Sequence, residues 1–319
     1  MLWVAATPSS ALAAPLQYLT GASARAQPVV WLTWGMLLVS VTVIVIIGGL
    51  LLAAMLRHRA AADPRALLPD AGGHSWLWIG VGLSALALLF TVVWTVAVLA
   101  HIQAPPVQPR VTVEITGRQW WWQVRYLSAD PAQQFDTANE IHIPAGEPVR
   151  LRLVGGDVIH SFWVPQLAGK MDAIPGQINE TWIEASSPGT WTGQCTEYCG
   201  VQHAKMLLQV VADTPSGFAA WRAHQLAKPM AAAGQAVFES HCGNCHAVRG
   251  TAADGSFGPN LSHLMQRRTL ASASLPNDPE TLAHWIADPQ SLKPGNHMPQ
   301  VVLTGGEHRD LIAYLESLN

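Results

Sequence analysis

Between Ala26 and Leu56 the chain carries no charged residue, and a second uncharged run extends from Trp76 to Ala100. Each exceeds the roughly 20 apolar residues that a helix needs to cross the hydrocarbon core of a bilayer. A helix buried inside a soluble protein is the competing reading, and the length of both runs argues against it. Together they predict a transmembrane hairpin. The connecting segment holds Arg57, Arg59 and Arg65 with His58, whereas the N-terminal flank has only Arg25. Excess arginine marks the cytoplasmic side, so the N-terminus and everything after Ile102 are expected on the outer face. Trp31, Trp34, Trp76 and Trp78 fit an interfacial aromatic belt, and His74 and His101 flank the second helix as interfacial residues. Only 12% of the residues are charged, against roughly 25% in ordinary soluble proteins, which agrees with a membrane component whose partner is the lipid bilayer. A net charge of −3 offers no basic footprint for nucleic acid.

Around this hairpin (residues 29–101) the chain divides by composition. Residues 1–28 are mildly apolar. Ala22-Ser-Ala24-Arg25-Ala26 resembles a small-residue cleavage site, but no positive segment precedes it as a signal peptide requires; a short outer-face segment is the alternative. Ala104-Pro-Pro106 and Pro109 form a stiff linker. In residues 107–214 apolar and polar residues then alternate: Val111, Val113 and Ile115, and later Val149, Leu151 and Leu153. Period-two alternation predicts half-buried antiparallel sheet. Further strands are predicted at 123–127, 140–143, 158–164, 179–184, 190–194 and 207–212. So many short strands indicate an all-β sandwich or barrel. After Thr214 the chain turns helical, with Lys228-Pro229 as the boundary of a last segment, residues 229–319.

The β segment ends on Cys195-Thr-Glu-Tyr-Cys199-Gly-Val-Gln-His203-Ala-Lys-Met206. Two thiols, an imidazole and a thioether within so short a stretch form a soft donor set, better suited to copper than to magnesium, calcium or manganese. Two cysteines four apart can meet on one centre or bridge two ions. A structural zinc loop, lacking one ligand of a tetrahedral set, and a disulfide are the rivals; the methionine tilts the choice to copper, since zinc has little use for a thioether.

This pattern resembles the binuclear copper (CuA) loop of cytochrome c oxidase subunit II. The resemblance implies a cupredoxin-like fold, with Cys195 and Cys199 as bridging thiolates. His203 and an upstream histidine, matched by His160 in Asp157-Val-Ile-His160-Ser-Phe-Trp-Val-Pro165, become terminal ligands. Met206 and the Glu197 carbonyl become weak ligands. It further implies that the Glu197 carboxylate reaches a magnesium or manganese ion at the border with subunit I, the remaining oxygens of a six-coordinate site coming from that partner and water. Gly117-Arg-Gln-Trp120-Trp121-Trp122 matches the family's aromatic triplet, whose first member receives electrons from cytochrome c; that position is Trp120. Core packing by the indoles is the plain alternative. Lys170-Met-Asp172-Ala-Ile-Pro175-Gly176 matches a segment expected to lie against the catalytic subunit. Many members carry a glutamate near the start of the second helix, at the mouth of a proton path. Here His74 or Ser75 occupies that region, which puts such a contribution in doubt.

In the last segment Cys242-Gly-Asn-Cys245-His246 has the spacing of covalent c-type haem attachment, with the histidine as proximal iron ligand. A redox Cys-x-x-Cys is the rival, and the adjoining histidine and missing βαβ pattern argue against it. Helices are predicted at 234–240, 279–287 and 307–318, with Leu311, Tyr314, Leu315 and Leu318 at helical spacing. The surroundings resemble an all-α class I cytochrome c, in which Gly258-Pro259-Asn260-Leu261 covers the proximal side of the haem and Met298 is the sixth ligand. Met265, His263 and His297 are the competitors. His224, His284 and His308 read as ordinary surface residues.

The whole chain therefore resembles subunit II of a caa-type oxidase: a multidomain membrane protein with a two-helix hairpin, a CuA domain and a fused haem c domain. The resemblance implies electron relay from haem c to CuA and on to subunit I, where oxygen is reduced with proton translocation. It also implies a subunit III partner, a soluble or membrane cytochrome c or other upstream donor, and a two-pass topology in a bacterial inner membrane with both domains periplasmic. A CuA-bearing subunit of another respiratory reductase, such as a nitric oxide reductase, is the alternative, distinguished by the partner.

Overall fold

The computed structural model describes residues 16–57, 74–229 and 232–319; Arg59, Arg65 and His58, and the start of the signal-like segment, lie outside them. The chain forms two compact units, Gln27–Ala104 and the remainder.

In the first unit, α1 (Ala26–Leu56) and α2 (His74–Ile102) span the two uncharged runs. Both are long and apolar enough to cross a membrane, and almost nothing covers their apolar surface. Leu38, Ile44, Leu50 and Phe90 point outward uncovered, a surface suited to lipid rather than water. The hydroxyls are satisfied within the helices: Thr33, Ser40 and Thr42 each donate to the carbonyl one turn back, as hydrocarbon would demand. Gly35 faces the Trp94 indole, and any Cβ there would overlap it. The chain is thus a membrane-anchored protein.

The second unit contains a sandwich of two five-stranded sheets. The strands are β1 (Val111–Arg118), β2 (Trp121–Leu127), β3 (Phe135–Ala138), β4 (Glu140–Pro144), β5 (Val149–Gly155), β6 (His160–Trp163), β7 (Met171–Ala173), β8 (Asn179–Ile183), β9 (Gly189–Cys195) and β10 (Leu207–Asp213). One sheet runs β3-β2-β1-β5-β8 and the other β4-β10-β9-β6-β7. Alternation places Val113, Ile115, Leu151 and Leu153 fully inside, each such side chain contributing about 1.5–3 kcal/mol of transfer free energy. The expectation of a purely antiparallel sheet needs correction. The two alternating runs that suggested it, β1 and β5, lie side by side but parallel, and β4 is likewise parallel to β10. The cause is a change of sheet between β3 and β4. It occurs at Asn139, whose φ of 61° lies in the left-handed region that asparagine tolerates. Its backbone N–H donates to Trp122 O, and its side-chain oxygen accepts from Trp122 N. Strands β3 and β7 were not anticipated; both are short edge strands.

Residues 16–25, preceding α1, belong to this unit. Ala22 N donates to Gln166 O, Ser23 Oγ donates to Leu167 O, and Arg25 lies over the Trp182 ring at 4.9 Å. After β10, Thr214 caps α3 (Pro215–Leu226). Helix α3 lies on the sandwich: Trp221 stacks on His142 at 4.2 Å and meets Tyr126 edge-on at 5.2 Å.

The last segment is built from α4 (Gln235–His241), a two-residue ladder of β11 (Thr269–Leu270) and β12 (Leu275–Pro276), α5 (Pro279–Ala287), α6 (Pro289–Leu292) and α7 (Gly305–Glu316). Helices α4 and α7 meet at Phe238 and Tyr314, ring centroids 5.4 Å apart. Gly234, at φ 89°, permits the crossing, because a Cβ would strike the Asp310 carbonyl. Leu311, Tyr314, Leu315 and Leu318 are buried together, as their spacing predicted.

Candidate metal centre and porphyrin cavity

Three neighbouring strands bring the soft donors together. Strand β9 pairs with β6 through Phe162 opposite Cys195, and with β10 through Gln194 opposite Leu207. His160, Cys195 and Met206 therefore sit at the same end of adjacent strands. Cys195 N donates to Met206 O at 2.9 Å and Thr196 N to Ser161 O at 3.0 Å, which closes the loop on itself. Cys195 Sγ lies 3.8 Å from Cys199 Sγ and 3.8 Å from His160 Nδ1. Cys199 Sγ lies 3.6 Å from His203 Nδ1 and 3.8 Å from Met206 Sδ. The Glu197 carbonyl is 3.2 Å from Cys195 Sγ. All six residues named from the sequence thus converge. His160, Cys195 and Cys199 are buried, with ligand atoms within 4.8 Å of one another.

This donor set fits a pair of copper ions. The sulfurs are too far apart for a disulfide, which needs about 2.05 Å, and all four cysteines are free thiols. Two central thiols, each with its own imidazole, suit two ions sharing sulfur better than one tetrahedral zinc. The hydrogen bond from Cys199, with help from His160, brings the Cys195 thiol well below its ordinary range, while the facing sulfur pushes Cys199 up. A lowered thiol favours the thiolate that metal ligation requires.

Neighbouring side chains hold the ligands in place, and one of them, Asp157, was not singled out from the sequence. Asp157 Oδ1 lies 2.8 Å from His160 Nε2 and accepts from Val158 N. The carboxylate claims one ring nitrogen and turns Nδ1 toward the sulfurs, the usual second partner of a metal-bound histidine. Its three-residue spacing from His160 was the available signal. The bend it makes also explains why β6 starts at His160 rather than at Val158. Gly117 of β1 lets the imidazole in, since a Cβ would come within 2.7 Å of the ring. Cys199 O accepts from both Gln119 Nε2 at 2.7 Å and Trp120 Nε1 at 2.9 Å.

The second cluster lines a cavity of ≈ 280 Å³ that holds Cys242, Cys245, His246 and Met298 on its wall. His246 Nδ1 donates to Pro259 O at 2.8 Å. Burial lowers its pKa, which favours the neutral ring, the form that ligates iron. Gly258 lies so close to the His246 ring that no Cβ would fit. Much of the remaining lining is apolar, including Phe238, Leu264, Leu282 and Ile286, with Arg267 and Asn296 among its polar members. A largely apolar cavity with two thiols, one imidazole and one thioether on its wall fits a haem. His263 instead bonds Asn319 O, and neither it nor Met265 lines the cavity described. His297 does line it, with its ring 4.8 Å from that of Trp120.

The cavity is not built by the last segment alone. Gln119, Trp120, Trp121 and Asn139 of the sandwich form part of its wall. Trp120 is only 9% exposed, because the segment carrying His297 covers it. His224 and His284 are exposed and His308 is half-buried.

Comparison with known proteins places these features. Residues 126–213 match the family model described as cytochrome C oxidase subunit II, periplasmic domain, and residues 231–319 match the cytochrome c model. The chain is 31% identical over 287 residues to cytochrome c oxidase subunit 2 of Bacillus sp. strain PS3, covering 82% of this chain and 79% of that one. It is 40% identical over 216 residues to the protein of the same name from Alkalihalophilus pseudofirmus, covering 65% of this chain but 61% of the relative's length. A crystal structure of the periplasmic domain of subunit II of cytochrome oxidase from Bradyrhizobium japonicum is 33% identical, covers 37% of this chain and 95% of that one, and has a TM-score of 0.34.

Proposed function

Because the chain belongs to the cytochrome c oxidase subunit II family, in the form that carries a cytochrome c domain, we propose that it is the electron-relay subunit of a terminal oxidase. It accepts electrons from an upstream donor, a soluble or membrane cytochrome c, and delivers them to subunit I, where oxygen is reduced to water with proton translocation. Subunit III completes the complex, in a bacterial inner membrane with both outer domains periplasmic. When bound, a covalent haem c and a binuclear copper centre supply the one-electron chemistry, which is the cofactors' own.

The chain's residues do the rest. Cys242 and Cys245 would tether a haem, and His246 and Met298 would ligate its iron, the thioether favouring a high potential. Cys195, Cys199, His160, His203, Met206 and the Glu197 carbonyl hold the copper pair. Anchored on paired strands, these donors move little when charge changes. Asp157 fixes the His160 tautomer. Trp120 lies between the two donor sets and is the electron-receiving residue of the copper domain. The Glu197 carboxylate contributes one oxygen to a magnesium or manganese site completed by subunit I.

One observation carries this reading: two donor sets of different chemistry occur in one compact unit, with Trp120 touching both surroundings. The test is purification of the native complex, metal analysis and anaerobic titration with reductant. A mixed-valence copper signal, a c-type haem band and a copurifying haem-copper subunit support the relay. A single zinc, or no covalent haem, would sink it.

A further inference from the structure

Lys293 is 4% exposed although it carries an ammonium. Burying such a group costs several kcal/mol unless its protons find partners, and burial pushes its pKa down to about 7, with the Lys205 charge adding to the effect. No salt bridge within 4.0 Å joins it to a carboxylate among the described residues. Instead Nζ donates to three backbone carbonyls: Lys205 at 2.9 Å, Ala271 at 3.1 Å and Trp120 at 3.4 Å. Two of these belong to the sandwich and one to the haem domain. The Lys205 carbonyl lies between metal-ligand candidates His203 and Met206, and Trp120 is the residue that bonds Cys199 O.

The neighbours of Lys293 repeat the pattern. Gln202 Nε2 donates to Pro294 O, and Lys205 Nζ to Leu292 O at 3.3 Å. A Cβ on Gly295 would come within 3.0 Å of the Val201 side chain. Ser274 Oγ donates to Lys205 O at 3.0 Å, and Ser272 Oγ to Leu207 O at 2.9 Å. Residues 292–295, a few positions before Met298, and residues 272–274 thus both bond to the copper loop and its exit.

We propose that Lys293 is a positioning residue that registers the haem domain on the copper loop, its ammonium plugged into carbonyls from both domains so that the segment bearing Met298 and the segment bearing His203 and Met206 keep one relative placement. The inference rests on the relay reading and deepens it. A plain apolar contact would hold the domains together, but it would not fix where along the loop they meet. A single buried donor with three directional acceptors does, as buried polar groups set register in other assemblies.

The test is Lys293→Met in the intact oxidase complex, which keeps the length and removes the donors. The copper signal and the low-spin haem band should persist, while electron transfer from haem to copper after rapid photoreduction slows by about tenfold or more, the scale of a misplaced reacting pair. Hydrogen exchange at residues 203–207 and 271–274 should rise together. An unchanged rate with both signals intact overturns the proposal, as does loss of Met298 ligation, which would make the lysine local to the haem. Absence of either signal in the unmodified complex would instead defeat the relay reading. Should Lys293→Met fail to accumulate, Lys293→Gln keeps a polar end but loses the three ammonium donors: slowed transfer with intact signals supports the proposal, and an unchanged rate overturns it.

Discussion

The Trp120 indole N–H donates to the carbonyl of Cys199 at 2.9 Å, while its ring lies 4.8 Å from that of His297. One side chain therefore touches the backbone of a copper-ligand candidate and the neighbour of the iron-ligand candidate Met298. Trp120→Phe keeps an aromatic ring and removes the donor; Trp120→Gln removes the ring. Both should retain metal, and Gln should slow haem-to-copper transfer more than Phe. Flash photolysis of the intact complex measures this, and equal, unslowed rates would reduce Trp120 to packing.

The 3.8 Å approach of Cys195 and Cys199 leaves both sulfurs within reach of one metal centre. Cys199→Ser should abolish the mixed-valence copper signal in electron paramagnetic resonance and leave the haem absorption untouched. Loss of both signals would show that the two sites are not separable.

Asp157 orients His160 without touching the sulfurs. Asp157→Asn should weaken copper retention by about 10–100-fold, the usual cost of losing such a partner. Competition with a copper chelator reads the effect, and unchanged retention would make the carboxylate a backbone cap only.

Met298 shares the cavity wall with His246. Met298→Ala should convert the haem to a high-spin or ligand-exchanged form, visible in the Soret region. A low-spin spectrum identical to the parent would redirect the assignment to His297.

His142 lies between Glu140 at 2.9 Å and Asp213 at 2.7 Å. Burial alone would lower its pKa, but the hydrogen bonds and charges of the two carboxylates outweigh it, and the net shift is upward from 6.5. A raised folded pKa means that the protonated ring stabilises the fold fully below about pH 6.5, and that this contribution fades as pH rises through the folded value. His142→Gln should therefore cost about 1.5–3 kcal/mol at pH 5.5 and distinctly less at pH 9. Denaturant midpoints of the parent and variant across that range give the difference; a constant gap would show that the charge is irrelevant.

Much of this molecule was readable from its residues. Uncharged length gave the helices α1 and α2, and alternation gave the inward faces of β1 and β5. Ligand spacing gave the loop from Cys195 to Met206 and the Cys242–His246 motif. What was hidden depends on chain path. Parallel pairing of β1 with β5 follows from the change of sheet at Asn139, which no local period records. Asp157 was legible in principle, being three residues from His160. Lys293 was not: a lysine before Pro-Gly reads as a surface charge, and only tertiary contact buries it. The same holds for Trp120, whose cover comes from residues far along the chain.

The composite wall of the porphyrin cavity bears on modularity. Gln119, Trp120, Trp121 and Asn139 complete a chamber whose floor belongs to the cytochrome segment, so the boundary at residues 228–229 divides the sequence but not the chamber. A foreign cytochrome spliced in at that point would bring its own floor and find the wrong ceiling, leaving its porphyrin edge open to solvent. A transplant of the cytochrome segment is therefore expected to need these four sandwich residues carried with it.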